Sequence, residues 1–165
     1  EYELTLTVSQ KLKAELESRG YEVYMVRESH DVDISNSQRA QMAYDSGAEV
    51  FVRIHANGSE NSAANGAMTI CPTAQNPYVA GLYADSRRLS DTVLDGLTAS
   101  TGCKKERVWE TDTMSGINWS MIPVTIVEMG YMTNPEEDTR LADDGYQQLI
   151  AIGIADGIDS YFAAP

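Results

Sequence analysis

The chain is expected to fold as an α/β domain with a largely parallel central sheet and helices on both faces. Helix-period and strand-type segments alternate along it, and two apolar runs, Val50 to Ile54 and Pro123 to Val127, have the length and β-branched content of buried strands. A closing segment repeats apolar residues at three- and four-residue steps. A length of 165 residues with 42% hydrophobic content accommodates one full core and predicts one domain, residues 1–165.

Leu4, Val8, Leu12 and Leu16 form a four-residue stripe, so the first helix runs from the opening residues to Arg19 and ends at Gly20, a favoured residue beyond a helix C-terminus. Tyr21 to Val26 reads as a strand. Asp33 to Ser37 supplies capping residues for a helix over Gln38 to Asp45, closed by Gly47, and the strand Glu49 to His55 follows. Asn57 to Asn65 is a loop, Ala67 to Cys71 a short strand and Pro72 to Pro77 a turn. Val79, Leu82, Tyr83, Leu89, Val93, Leu94 and Leu97 mark a long helix ending near Ser100 to Gly102. Cys103 to Met121 is irregular or holds short strands, and Ile122 to Glu128 is another strand. Tyr146, Leu149, Ile150, Gly153, Ile154, Gly157, Ile158, Tyr161 and Phe162 define the last helix. A chain of this class usually opens with a strand, and this one opens with a helix.

The formal net charge of -13 argues against sequence-independent nucleic-acid binding, which needs Lys and Arg to neutralise phosphates. No run approaches the ~20 apolar residues of a membrane span, and Glu1-Tyr2-Glu3 carries no signal-peptide pattern. Cys71 and Cys103 allow one disulfide or two free thiols.

His55 ends the apolar run and precedes Ala56-Asn57-Gly58, where open α/β sheets place their ligands. Neutral imidazole is a common metal ligand and proton carrier, although a lone strand-end histidine is more often a half-buried cap. Glu128 stands in the matching place after Val124 to Val127. A carboxylate beside so apolar a run is costly unless paired, hydrogen-bonded or near a metal. A metal-assisted amide hydrolase needs about three protein ligands and a carboxylate that moves the water's proton. His55 suits the first role and Glu128 the second.

Val52-Arg53-Ile54-His55-Ala56-Asn57 resembles the strand-end His-Ala-Asn motif of the zinc-dependent N-acetylmuramoyl-L-alanine amidases of the amidase-3 type. Ile126 to Glu137 resembles that family's strand-end glutamate followed by Gly, an aromatic and an Asn-Pro-Glu-Glu turn, and the stretch from Glu1 to Tyr21 is similar to its first helix. Val26-Arg27-Glu28 resembles the strand end after that helix, so the resemblance covers essentially the whole chain. It implies Glu1 and His55 as Zn²⁺ ligands, Glu128 as general base and then acid, and Asn57 as an aid to substrate positioning, although Asn before Gly also suits an ordinary turn.

The implied substrate is peptidoglycan, cut between N-acetylmuramic acid and L-alanine, and the implied location is the cell wall or outside the cell after export. One departure stands out. The family's first zinc ligand is a histidine in an Asp-Pro-Gly-His-Gly stretch after an opening strand, and both would precede Glu1. The expectation is therefore an N-terminally incomplete domain, with His30 facing solvent. The alternative is a non-catalytic peptidoglycan-binding module with a degenerate metal site, and a zinc peptidase acting on ordinary peptides is a third reading. Of the remaining residues, Trp109 and Trp119 are expected in the core or at a sheet edge, Tyr131 and Met132 in core packing, and Arg53 paired with an acid.

Overall fold

A computed structural model describes residues 1–163. The elements are α1 (Tyr2–Ser18), α2 (Asn36–Asp45), β1 (Phe51–Asn57), β2 (Ala67–Cys71), α3 (Tyr83–Thr101), β3 (Lys105–Glu110), α4 (Ser115–Asn118), β4 (Val124–Tyr131), α5 (Pro135–Leu141) and α6 (Asp144–Ala163), with a single 3₁₀ turn, Ala80–Leu82, before α3. The strands form one sheet in the order β1-β4-β2-β3. β1 runs parallel to β4 and β2 parallel to β3, while β2 and β4 are antiparallel. The sheet is thus mixed, two parallel pairs joined back to back.

Strand alternation divides the side chains between two layers. Val127 and Met129 of β4 and Ala56 of β1 face the larger core, where they meet Val8 and Leu12 of α1, Leu89 and Val93 of α3, and Ile150 and Ile154 of α6. Each fully buried aliphatic side chain here is worth about 1.5–3 kcal/mol in removed apolar surface. α3 and α6 cross with their backbones almost touching, because a Cβ at Gly96 would stand 2.2 Å from the Gly153 carbonyl and one at Gly157 2.4 Å from Val93 Cα. Phe51, Val124 and Ile126 face the opposite layer with Ala43 of α2 and Ile117 of α4.

The segment Tyr21 to Val26 does not join the sheet. Its residues are extended in sequence pattern, and Tyr21 and Val23 pack on the larger core, yet no ladder forms. A strand is completed only by a neighbour's N–H and C=O groups, and among the described residues β1 pairs with β4 alone. Between the segment and β1 lies a groove of about 1240 Å³. Apolar residues such as Leu12, Leu16, Val23 and Val52 line it, with Arg27, Arg39 and Arg53 also on its wall.

Both cysteines are buried free thiols. Trp109 is partly buried against the smaller core. Trp119 departs from the expected core or sheet-edge packing: it is 58% exposed, because it follows the four-residue α4, whose buried contacts are made by Gly116 and Ile117. No described helix is long and apolar enough to cross a membrane.

Candidate active site

The parallel register of β1 and β4 sets His55 directly beside Glu128. Both side chains emerge on the same side as Phe51, Arg53, Val124 and Ile126, because each lies an even number of residues away along its strand. A register shift between His55 and Asn57 ends the regular pairing just beyond them. Glu1 arrives from the N-cap position of α1, and its Oε1 lies 2.9 Å from His55 Nδ1. Residues at position 1, at position 55 and at position 128 thereby converge at one end of the sheet.

Burial lowers the His55 pKa from its ordinary value; the Glu1 hydrogen bond pushes the other way, and the Arg53 charge adds to the lowering. The neutral imidazole that results is the form that binds metals. Burial raises the Glu128 carboxyl to about 7, with the nearby Glu1 charge a smaller contribution. Glu128 Oε2 is buried without a hydrogen-bond partner. A carboxylate poised near neutral pH with a free oxygen can both accept and return a proton.

Arg53 does not find the acidic partner the sequence led us to expect. Its Nη2 donates to Asn36 Oδ1 at 2.7 Å, its Nη1 is buried without a partner, and Gly116 of α4 packs against the guanidinium. α2 and α4, the elements opposite Arg53, supply an amide and a glycine at the contact and no carboxylate. Asn57 has its Oδ1 engaged by the Gly58 N–H at 2.8 Å in a local turn, leaving its amide nitrogen as the group it offers. His30 is exposed, edge-on to the Tyr2 ring at 5.1 Å and beside Arg27 Nη1 at 3.4 Å. Tyr131 is buried, and Met132 packs on the larger core.

An imidazole and a carboxylate are donors that suit Zn²⁺. Glu1 Oε1 and His55 Nδ1 already stand side by side, 2.9 Å apart. Beside that pair Glu128 buries a carboxylate oxygen that meets no protein hydrogen-bond partner. Glu1 and His55 therefore fit as part of a zinc site. Among the described residues no group of three or more His, Cys, Asp or Glu side chains is clustered to hold a metal.

The Amidase_3 family, N-acetylmuramoyl-L-alanine amidase, matches residues 1–160. The chain belongs to this family. It is 30% identical over 162 residues to the N-acetylmuramoyl-L-alanine amidase LytC of Bacillus subtilis, covering 98% of this chain and 31% of that protein. To the probable cell wall amidase LytH of Staphylococcus aureus it is 27% identical over 164 residues, 99% of this chain and 50% of that protein. The chain thus spans between about a third and a half of these relatives. The solved N-acetylmuramoyl-L-alanine amidase from Clostridium difficile 630 superposes with a TM-score of 0.86 at 28% identity, covering 98% of this chain and 83% of that one. The catalytic domain of CwlV, an N-acetylmuramoyl-L-alanine amidase from Bacillus (Paenibacillus) polymyxa, gives 0.84 at 28% identity, with 98% and 84% covered. The mixed sheet and its flanking helices are the fold of these amidases.

Sequence reasoning did not single out Glu137, which is buried and accepts two backbone N–H bonds beside the site. The Asn-Pro-Glu-Glu run was visible, and Glu137 stands three positions after Asn134 as in a helix-capping pair, but nothing local reveals that the carboxylate bonds to other segments.

Proposed function

We propose that this domain is a zinc-dependent amidase that hydrolyses the amide between N-acetylmuramic acid and L-alanine in peptidoglycan, acting at the cell wall or outside the cell. The observation that carries the reading is the convergence of Glu1, His55 and Glu128 from three separate elements, with Glu128 raised to about 7. Family membership supplies the substrate class.

Glu1 and His55 would hold the zinc, and when bound it polarises the scissile carbonyl and acidifies water. Glu128 accepts a proton from the attacking water as the carbon–oxygen bond forms. It then delivers that proton to the departing nitrogen of L-alanine as the carbon–nitrogen bond breaks. Its raised pKa suits both halves of this exchange. Asn57 offers an amide N–H to substrate at the mouth of the site.

The domain reading takes residues 1–165 as one amidase catalytic domain, with a groove beside β1 on whose wall stand Arg27, Arg39 and Arg53.

The absence of a three-donor cluster among the described residues favours one competing reading, a peptidoglycan-binding module with a degenerate metal site. Metal analysis of the full-length protein separates the two: about one zinc per folded chain supports the enzyme, and none overturns it. Muropeptides assayed against plain peptides then test the bond. Release of L-alanyl peptides from muropeptides by the wild type is expected, and cleavage of plain peptides alone would reassign the domain as a peptidase.

A further inference from the structure

We infer that Glu137 is a positioning residue that holds Glu128 in place by tying the end of β4 to the loop that follows β1; the inference rests on the amidase reading. Glu137 occupies the third position of α5, after the N-cap Asn134 and Pro135. A glutamate there ordinarily turns back to cap its own helix. Here the first turn is capped by Asn134, whose Oδ1 accepts from the Glu136 and Glu137 N–H groups at 3.0 and 3.2 Å.

The Glu137 carboxylate is released to reach elsewhere. Its Oε2 accepts the Tyr131 N–H at 2.8 Å, and its Oε1 accepts the Gly66 N–H at 2.9 Å. Tyr131 is the last residue of β4, three after Glu128, and Gly66 closes the loop after His55 and Asn57. The carboxylate is only 7% exposed and forms no salt bridge among the described residues, so backbone N–H groups are what stabilise its charge, as a buried carboxylate requires.

Three other bonds join the same two segments, one of them from Asn134 Nδ2 to the Ala64 carbonyl at 3.1 Å. Met132 N–H donates to the Asn57 carbonyl at 2.9 Å, and Ser59 N–H to Thr133 Oγ1 at 3.0 Å. Gly66, at φ +114, approaches the Lys104 carbonyl so closely that a Cβ would stand 2.7 Å from it. The loop end is thus pressed from one side by the residue before β3 and held from the other by Glu137. These contacts act just beyond the paired residues His55 and Glu128, where the regular β1–β4 pairing lapses.

Glu137→Gln is nearly isosteric but turns an NH₂ group toward one of two N–H donors, so one tie is lost. In the zinc-loaded full-length protein, assayed on muropeptides, kcat is expected to fall about 10–100-fold, the scale of a sub-ångström to ångström misplacement. KM should stay within about threefold and zinc content unchanged, since Glu1 and His55 come from other elements. Leu97→Val, fully buried on α3 rather than on α5, is the control for stability loss alone. At matched loss of Tm it should retain its kcat.

An active wild type with a Glu137→Gln kcat within about threefold overturns this inference and leaves the amidase reading intact. Equal kcat losses in the two variants at equal Tm loss also overturn it. A zinc-loaded wild type that releases no L-alanyl peptide overturns the amidase reading and this inference with it. If Glu137→Gln does not fold, Glu137→Asp, which is one methylene too short to reach both N–H groups, is read by the same outcomes.

Discussion

On the α3–α6 side of the sheet Leu89, Val93, Leu94 and Leu97 are fully buried, and the hydroxyls enclosed there are paired, Ser90 Oγ with Thr125 Oγ1 at 2.7 Å and Thr69 Oγ1 with the Ser90 carbonyl at 3.0 Å. The one unpartnered buried polar atom there among the described residues, Arg88 Nε, belongs to a guanidinium that lies over the Tyr161 ring at 4.6 Å. On the opposite side Arg53 and Glu128 each bury a polar atom that meets no partner, and at the sheet edge a groove of about 1240 Å³ runs beside β1. The close-packed side contributes the surplus of stability that lets the other side keep groups in costly environments. An unpaired buried polar atom is destabilising by about 1–3 kcal/mol, and it persists where chemistry uses it.

The comparison breaks most sharply at Glu128. Glu128→Gln removes the proton carrier and should lower kcat by about 10²–10⁴-fold without lowering the melting temperature. Calorimetry beside a muropeptide assay checks this; an unchanged kcat would remove Glu128 from the chemistry. Gly157→Ala is the opposite case. Its new Cβ would lie 2.4 Å from Val93 Cα, a backbone atom that cannot move alone, so overpacking of about 1–3 kcal/mol is expected. Tm should fall by about 2–4 °C per kcal/mol, with kcat at low temperature preserved. A Gly157→Ala variant that keeps its Tm would show that the helix crossing is looser than its geometry.

The close-packed side was also the legible one. Period-four leucines and valines, the run Ile150, Ile154, Ile158 and the glycines among them specify α1, α3 and α6 locally, because a helix satisfies its backbone within itself. An abrupt polar residue closing an apolar run made His55 and Glu128 legible as well, although β1 and β4 continue past them to Asn57 and Tyr131. Tyr21 to Val26 has strand chemistry yet makes no ladder, because pairing depends on a neighbour that composition does not reveal. The antiparallel β2–β4 junction and the Asn36 contact of Arg53 are non-local for the same reason. Trp119 was expected to be packed, but α4 is too short to cover it.

Glu128 gives a third test through pH. An unfolded glutamate ionises near 4.3, whereas the folded Glu128 does so at about 7. Between these values the native state holds a proton that the unfolded chain has released, so this group's contribution to stability is present at low pH and lost as pH rises through about 7. The Gln variant does not titrate. In the metal-free chain with chelator present, its stability relative to wild type should therefore rise between pH 4.5 and 8. The rise should be about 2 kcal/mol once discounted for partial solvent access. Urea melts at pH 5 and pH 8 measure it, and equal differences at both would mean that Glu128 is not held in a desolvated site.

The smallest expected effect asks how far the two sides are independent. Ser35 caps α2 reciprocally: its Oγ accepts the Gln38 N–H at 3.3 Å, and Gln38 Oε1 accepts the Ser35 N–H at 2.8 Å. The helix it starts carries Asn36, the partner of Arg53, and Arg39, whose side chain bonds the Ile34 carbonyl at 3.0 Å. Ser35→Ala should cost about 1 kcal/mol. Because Asn36 is also held by its amide donating to Ser115 Oγ at 2.8 Å, the Arg53 contact should survive fraying of the preceding cap. Tm should then drop by about 2–4 °C with kcat unchanged. If kcat instead falls by more than about threefold, stability on the groove side is coupled to the chemistry through Asn36 and Arg53, and the division of labour between the two faces holds only for the α3–α6 layer.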